Sequence, residues 1–301
     1  MSFRIALGYA IFFTTGDRVL KIKALLFTSL LLSGVLAECL ASSLAEQWSS
    51  ISLPTYAINA QSIGTYNAGC ISGAVSLPIN GLGYQVMRLS RNRVYGHPDL
   101  KHAIENLGYT VTKHHLGSLL IGDLGQARGG PTLSGHRSHQ TGLDVDIWFL
   151  LSNDSASRLL SFSERENWNA PSVLVGQSDT LDHTQWSEAN VKVLQITAQL
   201  PEVDRIFVNP TIKRELCLSH AKQEWLRKIR PWWKHDDHFH VRLRCPKNNS
   251  YCQGQEPLPR GNGCDAELAW WFSEEAKHPE TAKTPPKEIQ LPNQCDAVLK
   301  E

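Results

Sequence analysis

Residues 136–151 read HRSHQTGLDVDIWFLL, and the second half of that stretch decides the fold. From Leu143 onward, Asp144 and Asp146 alternate with Val145 and Ile147. Residues two apart in a strand share a face, so the pattern predicts a strand with one apolar and one acidic face. Further along, KHDDHFHVRLRC (234–245) repeats the device. There His238 and His240 point one way, and Arg242 and Arg244 follow in the same register. Five of the twelve histidines fall in these two windows, each beside acids and a predicted strand.

Neutral imidazole and carboxylate are ready zinc ligands, and a catalytic zinc needs three of them with one position left open. His139 and Asp146 from the first window and His240 from the second supply that number. The turn at Gly142 brings His139 and Asp146 to one ion. His238, on the face of His240, is left for proton transfer, as a general base or a stabiliser of the transition state. A zinc ion so placed lowers the pKa of bound water toward about 7 and polarises a carbonyl. Asp144 reads either as the carboxylate that orients a ligand histidine or as half of a strand-edge salt bridge. Arg242 reads either as a fork for a substrate carboxylate or as a paired surface cation. Trp232 and Trp233 fit a core better than a cleft wall. His97, His102, His114, His115, His220 and His278 carry no spacing signal and read as structural or surface residues.

Working outward, residues 46–70 read as an irregular entry segment. HPDLKHAIENLG (97–108) reads as a helix opened by Pro98 and closed by Gly108. LGSLLIGDLG (116–125) reads as a buried strand and QARGGPTLSG (126–135) as a Gly-rich loop. SEANVKVLQITAQL (187–200) and TIKRELCLSHAKQEWLRKIR (211–230) have helical spacing, and DRIFVNP (204–210) is a strand with a turn. The expected fold is α+β: a small antiparallel sheet carrying the zinc site, flanked by helices and long disulfide-tied loops. Residues 46–272 form the expected domain. Residues 273–301 form a Pro- and Lys-rich tail that Cys295 pins back on the body.

Hydrophobic residues make up 42% of the 301-residue chain, which suffices for a core. The apolar run ALLFTSLLLSGVLA (24–37) follows Lys21 and Lys23 and precedes small residues, the pattern of a secretory signal over 1–45. Cleavage after Ala37, Ala41 or Ala45 fits. The prefix before the basic residues suggests a start codon assigned too early, with the start near Val19 or Leu20. The run is short for a membrane span, so no stable membrane insertion is expected once the signal is gone. The whole chain has a net charge of +1. Without residues 1–45 it loses four basic and two acidic groups, which leaves 26 against 27 and a net charge of −1. That balance gives no footprint for nucleic acid. Cys39 leaves with the signal. Six cysteines remain, an even set that reads as disulfides in an exported chain, with fifteen pairings open to it. No G-x-S-x-G or S-x-x-K serine-enzyme signature has supporting context.

At these residues the chain resembles a known family. H-x(6)-D followed by H-x-H is the pattern of the metallopeptidases grouped with lysostaphin, D-alanyl-D-alanine peptidases and the hedgehog amino-terminal domain. The strings QSIGTYNAGCISGA, YQVMR, YGHPDL, LIGDLG, SHQTGLDVDI, RIFVNPTIK, WLRKIRPWW and HFHVRLRC are similar to those of the penicillin-insensitive murein endopeptidases, over about residues 46–272 and the Cys295 region. The resemblance implies a periplasmic zinc endopeptidase that hydrolyses D-alanyl–meso-diaminopimelyl cross-links of peptidoglycan. It matches His139, Asp146 and His240 to the zinc ligands, His238 to the catalytic histidine and His235 to a further active-site histidine. It matches His136 to extra metal binding. The family's Asp-x-x-His pair has no counterpart of that spacing here. Asp179 with His183 is the nearest choice, so a second zinc is left open beside the catalytic one. The implied bridges are Cys70–Cys295, Cys217–Cys264 and Cys245–Cys252. Insensitivity to penicillin follows from the chemistry, since β-lactams acylate a serine and here an activated water attacks. Two alternatives remain: a D,D- or L,D-carboxypeptidase with the same metal core, and a zinc-containing wall-binding module without turnover. A homodimer is compatible with either.

Overall fold

The computed structural model describes residues 42–133, 137–278 and 290–301. The expected signal up to residue 41, His136 and residues 279–289 of the Pro-rich stretch lie outside the described residues. Helix α1 (Leu44–Ser49) opens on a capping box, in which Ser43 and Glu46 satisfy each other's backbone N–H groups. Strands β1 (Gln61–Thr65) and β2 (Ala68–Ser72) form an antiparallel hairpin within the stretch expected to be irregular. Short strands β3 (Val75–Ser76), β4 (Asn80–Gly81), β5 (Tyr84–Val86) and β6 (Tyr95–Gly96) lead to α2 (Pro98–Lys113). Then come β7 (Leu119–Ile121), β8 (Asp144–Trp148), α3 (Asn153–Ser157), α4 (Phe162–Asn167) and α5 (Glu188–Gln199). Strand β9 (Val203–Val208), α6 (Pro210–His220), β10 (Ile229–Pro231) and β11 (His238–Leu243) complete the sheet region. Three short helices follow: α7 (Ala266–Trp270), α8 (Glu274–Lys277) and α9 (Gln294–Lys300).

The main sheet has seven strands in the order β10-β9-β11-β8-β7-β5-β4. It is mixed, which corrects the expectation of a small antiparallel sheet. Strand β10 runs parallel to β9, and β5 parallel to β7. Parallel neighbours need a crossover, which a helix usually supplies. Helix α6 bridges β9 to β10, and α2 bridges β5 to β7. The expected helix over 211–230 hid the first crossover. The chain there forms α6, a 3-10 turn over Glu224–Lys228 and then β10.

Helix α2 buries Leu100, Ala103, Ile104, Leu107 and Val111, one face at helical spacing. It runs past Gly108, which was expected to close it. That glycine serves close packing instead, since a Cβ there would lie 2.4 Å from the Leu82 carbonyl oxygen. Val145 and Ile147 of β8, with Val241 and Leu243 of β11, meet Leu100, Ile104 and Leu107 of α2. Each such side chain, fully buried, contributes about 1.5–3 kcal/mol. The alternate residues of the same two strands are Asp144, Asp146, His240 and Arg242, and they too are buried.

Three disulfides tie the periphery. Cys70 of β2 joins Cys295 of α9, Cys217 of α6 joins Cys264 before α7, and Cys245 joins Cys252 just beyond β11. Cys70, Cys295, Trp48, Ile63 and Val298 form a small core of their own. Among the described residues, no helix is long and apolar enough to cross a membrane.

Candidate metal centre

The site grows from the pairing of β8 with β11, which sets His240 opposite Asp146 and Arg242 opposite Asp144. His139 arrives from the preceding loop at φ 67°, a left-handed conformation uncommon for a residue with a Cβ. Gly142, at φ 70°, makes the turn between them, and a Cβ there would sit 2.6 Å from Ile71 Cδ1. His139, Asp146 and His240 are buried, and their ligand atoms lie within 4.8 Å of one another. Asp146 Oδ1 is 3.0 Å from His240 Nδ1 and 3.4 Å from His139 Nε2. Bonds of 2.0–2.1 Å to a tetrahedral zinc give ligand atoms about 3.3 Å apart. The donor set and its spacing therefore fit zinc, and these three residues form one candidate zinc site.

Charge at the centre is balanced by a buried network. His240 Nε2 meets Asp144 Oδ1 at 2.7 Å, and Arg242 Nε donates to the same oxygen at 2.7 Å. Burial alone would raise the Asp144 carboxyl; Arg242 and His240 outweigh it and hold the group well below the usual carboxylate range. An ionised Asp144 accepts, so His240 carries its proton on Nε2 and turns the Nδ1 lone pair toward Asp146. Asp144 thus does both things the sequence left open: it orients a ligand histidine and pairs with Arg242. Arg242 is spent on this task. It is buried, donates to Gln255 Oε1 at 2.5 Å, and lies over the rings of Tyr66 and Phe207 at 3.8 and 5.1 Å. No fork remains on it for a substrate's terminal carboxylate.

Asp146 also sits well below the usual range, because His139 and His238 overcome its burial. His139 is raised, with Asp146 overcoming the effect of burial. Two further histidines flank the trio. His238 Nδ1 is 2.5 Å from Asp237 Oδ1, and its Nε2 is 3.7 Å from Asp146 Oδ1. Burial pushes His238 down, but Asp146, Asp237 and Asp236 together lift it to about 9. A cation between the three ligands would offset the share that comes from Asp146. His235 is driven the other way, to about 4, chiefly by burial. Its Nδ1 lies 2.9 Å from the Trp233 carbonyl, which can only accept. The proton is therefore on Nδ1, and Nε2 keeps its lone pair. Both His235 (φ 50°) and Lys234 (φ 60°) are left-handed. The bend is pinned by Asn209, whose N–H donates to His235 O and whose side chain donates to Lys234 O. Backbone outliers of this kind gather at functional sites.

The structure does not bring Asp179 or His183 to this centre. Asp179 pairs with Lys277 of α8 at 2.7 Å, and His183 is exposed beside Asp182. Among the described residues, the trio is the one group able to hold a metal ion. His136 lies outside them. Sequence reasoning missed Asp237, Phe207, Tyr66 and Gln255. Asp237 stood in the quoted window and could have been found as the acid adjoining His238. Phe207 becomes visible only once β9 is paired with β11, where it lies opposite His240. Asp123 was missed as well. Its carbonyl accepts from Asp146 N, and its carboxylate holds both Arg91 and Arg93.

Comparison with known proteins points one way. The profile of the family described as "Penicillin-insensitive murein endopeptidase" matches residues 62–300. A protein of that name from Klebsiella pneumoniae (strain 342) is 43% identical over 262 residues, 85% of this chain and 92% of its own length. Another from Haemophilus influenzae is 39% identical over 276 residues, 90% and 92% of the two lengths. A third, from Escherichia coli (strain K12), is 42% identical over 287 residues, 91% and 98%.

Proposed function

The chain belongs to the penicillin-insensitive murein endopeptidase family and is a zinc-dependent murein endopeptidase, and from that premise we propose that it cuts D-alanyl–meso-diaminopimelyl cross-links in the periplasm. The observation that carries this reading is the convergence of His139, Asp146 and His240 within 4.8 Å, with His238 beside them. A zinc ion held there supplies Lewis-acid polarisation of the scissile amide and acidifies water.

The chain's own residues do the rest. Asp144 fixes the His240 tautomer, and Arg242 fixes Asp144. His235 presents Nε2 as the lone pair that takes a proton from the attacking water. His238, its Nδ1 hydrogen directed at Asp237, presents Nε2–H to the oxyanion that develops on the carbonyl and to the leaving amine. One neighbouring histidine thus accepts while the other donates, the division of roles expected when an environment pushes two pKa values apart. No serine is acylated, so β-lactams find no target. Residues 1–45 are the proposed export signal. Of its three cleavage points, Ala37 and Ala41 leave the capping box of α1 whole, because Ser43 is then retained, whereas Ala45 removes it. Residues 46–272 are the proposed peptidase domain, with 273–301 its tail.

The test follows release of monomer from purified cross-linked muropeptide dimer, with penicillin present. Conversion that a chelator stops and zinc restores is expected. A chain that binds zinc and leaves the dimer intact contradicts the reading.

A further inference from the structure

Aromatic rings run outward from the metal centre to the surface. Phe207 lies 5.4 Å from the His240 ring, Trp232 5.9 Å from Phe207, and Trp271 6.0 Å from Trp232. Trp233 and Trp270 both pack on Trp271, at 5.5 and 5.4 Å. The sequence favoured a core role for Trp232 and Trp233. Trp232 is instead 54% exposed and Trp270 46% exposed. Large indoles left in water beside a catalytic centre mark a binding surface rather than a packing remainder.

The platform is rigid. The backbone N–H of Trp232 donates to Val208 O at 2.8 Å. Helix α7 is capped by Asp265, tied to β10 by the Arg230–Glu267 ion pair, and anchored to α6 through Cys217–Cys264. Binding surfaces built on fixed elements lose little freedom when a ligand arrives.

We propose that Trp232 and Trp270, joined through Trp271, form a subsite that stacks on pyranose rings of the murein glycan strand. This rests on the endopeptidase reading above. Three arguments select sugar as the occupant. The platform is continuous with the metal centre through Phe207, so a murein strand whose cross-link sits at the metal has the indoles within reach. The stem peptides of murein carry methyl, carboxylate and amine groups and no large apolar side chain that an indole face would match. A pyranose ring offers a flat face of C–H groups, which suits the negative face of an indole. The reach is also right. Trp232 is two ring-to-ring steps from His240, and an extended stem of four residues spans about 13 Å.

The test compares two substrates: a cross-linked dimer that keeps its disaccharides, and the same dimer with the sugars removed. The quantity read is the ratio of the two kcat/KM values. The wild-type chain is expected to favour the glycan-bearing dimer. Trp232→Ala with Trp270→Ala lowers that ratio about tenfold, mainly through KM, and Phe at both positions restores most of it. An unchanged ratio overturns the proposal, as does an equal loss on both substrates. Peptide-free glycan oligomers give an independent reading through indole fluorescence. A saturable change that the double alanine variant lacks supports the subsite; a flat titration overturns it, including the case where the variant alters sedimentation because a second copy covers the patch. If the wild-type chain cuts neither dimer, the endopeptidase reading fails, and the oligomer titration still decides the subsite.

Discussion

The β8–β11 pair and the disulfide-tied periphery are held by different forces. At the centre, Asp144, Asp146, His139, His240 and Arg242 are nearly all removed from water. Charges buried so deeply are tolerable only when each meets a partner, and a metal ion completes that set. The periphery has little core of its own. Helix α1, the β1–β2 hairpin and α9 share five buried hydrophobic residues, two of which are the bridged cysteines. Covalent links stand in for burial there. One region should therefore fail with loss of metal and the other with reduction.

The largest expected effect follows from that contrast. A chelator should abolish dimer turnover outright and remove the stabilisation that zinc provides, about 4 kcal/mol at zinc a thousandfold above its dissociation constant. A reductant under the same conditions should leave initial turnover intact. Parallel assays and melting curves check both arms, and turnover lost to the reductant as quickly as to the chelator would erase the distinction.

Next comes Asp144→Ala. It strands a buried Arg242 and frees the His240 tautomer. Stability should fall by about 3–5 kcal/mol, and zinc affinity by about 10–100-fold. Denaturant unfolding and competition with a zinc indicator measure the two. Replacing Cys70 and Cys295 together by Ser should cost about 2–5 kcal/mol. The bridge closes a separation of 225 residues, the longest of the three. Turnover at low temperature should survive, and a lost zinc site in this variant would mean that the periphery shapes the centre.

The smallest effect concerns Lys213, a buried cation that meets the carbonyls of Leu226 and Asn262 rather than a carboxylate. Burial lowers its pKa from 10.5 to about 7. The folded state thus gives up this proton before the unfolded chain does. Stability linked to the group is fully present above pH 10.5, declines as the pH falls, and is gone below about pH 7. Between pH 7 and 9 the wild-type chain should gain about 2 kcal/mol relative to Lys213→Met. Equal pH slopes for the two proteins would show that the lysine is ordinary.

The sequence was most legible where a side-chain period was long enough to read. Strands β8 and β11 gave themselves away by alternation, which exposed Asp146, His238 and His240, and His139 joined them from the loop that leads through Gly142 into β8. The mixed sheet was not legible, because β5, β7 and β10 have three residues each, too few for a period of two. Gly108 looked like a helix stop, since sequence does not reveal that a neighbouring backbone needs the space. The left-handed backbone at His139, Lys234 and His235 left no trace either, for none of them is the glycine that such a conformation favours. Nor was the bend at Lys234 and His235 legible, because Asn209 pins it through a tertiary contact.

The most direct test counts zinc per chain and turnover together for the wild-type protein, Asp146→Asn and His238→Ala. The account predicts one zinc with turnover, loss of both, and one zinc without turnover, in that order. Two zinc ions in the wild-type chain, or a full zinc complement in Asp146→Asn, would contradict it.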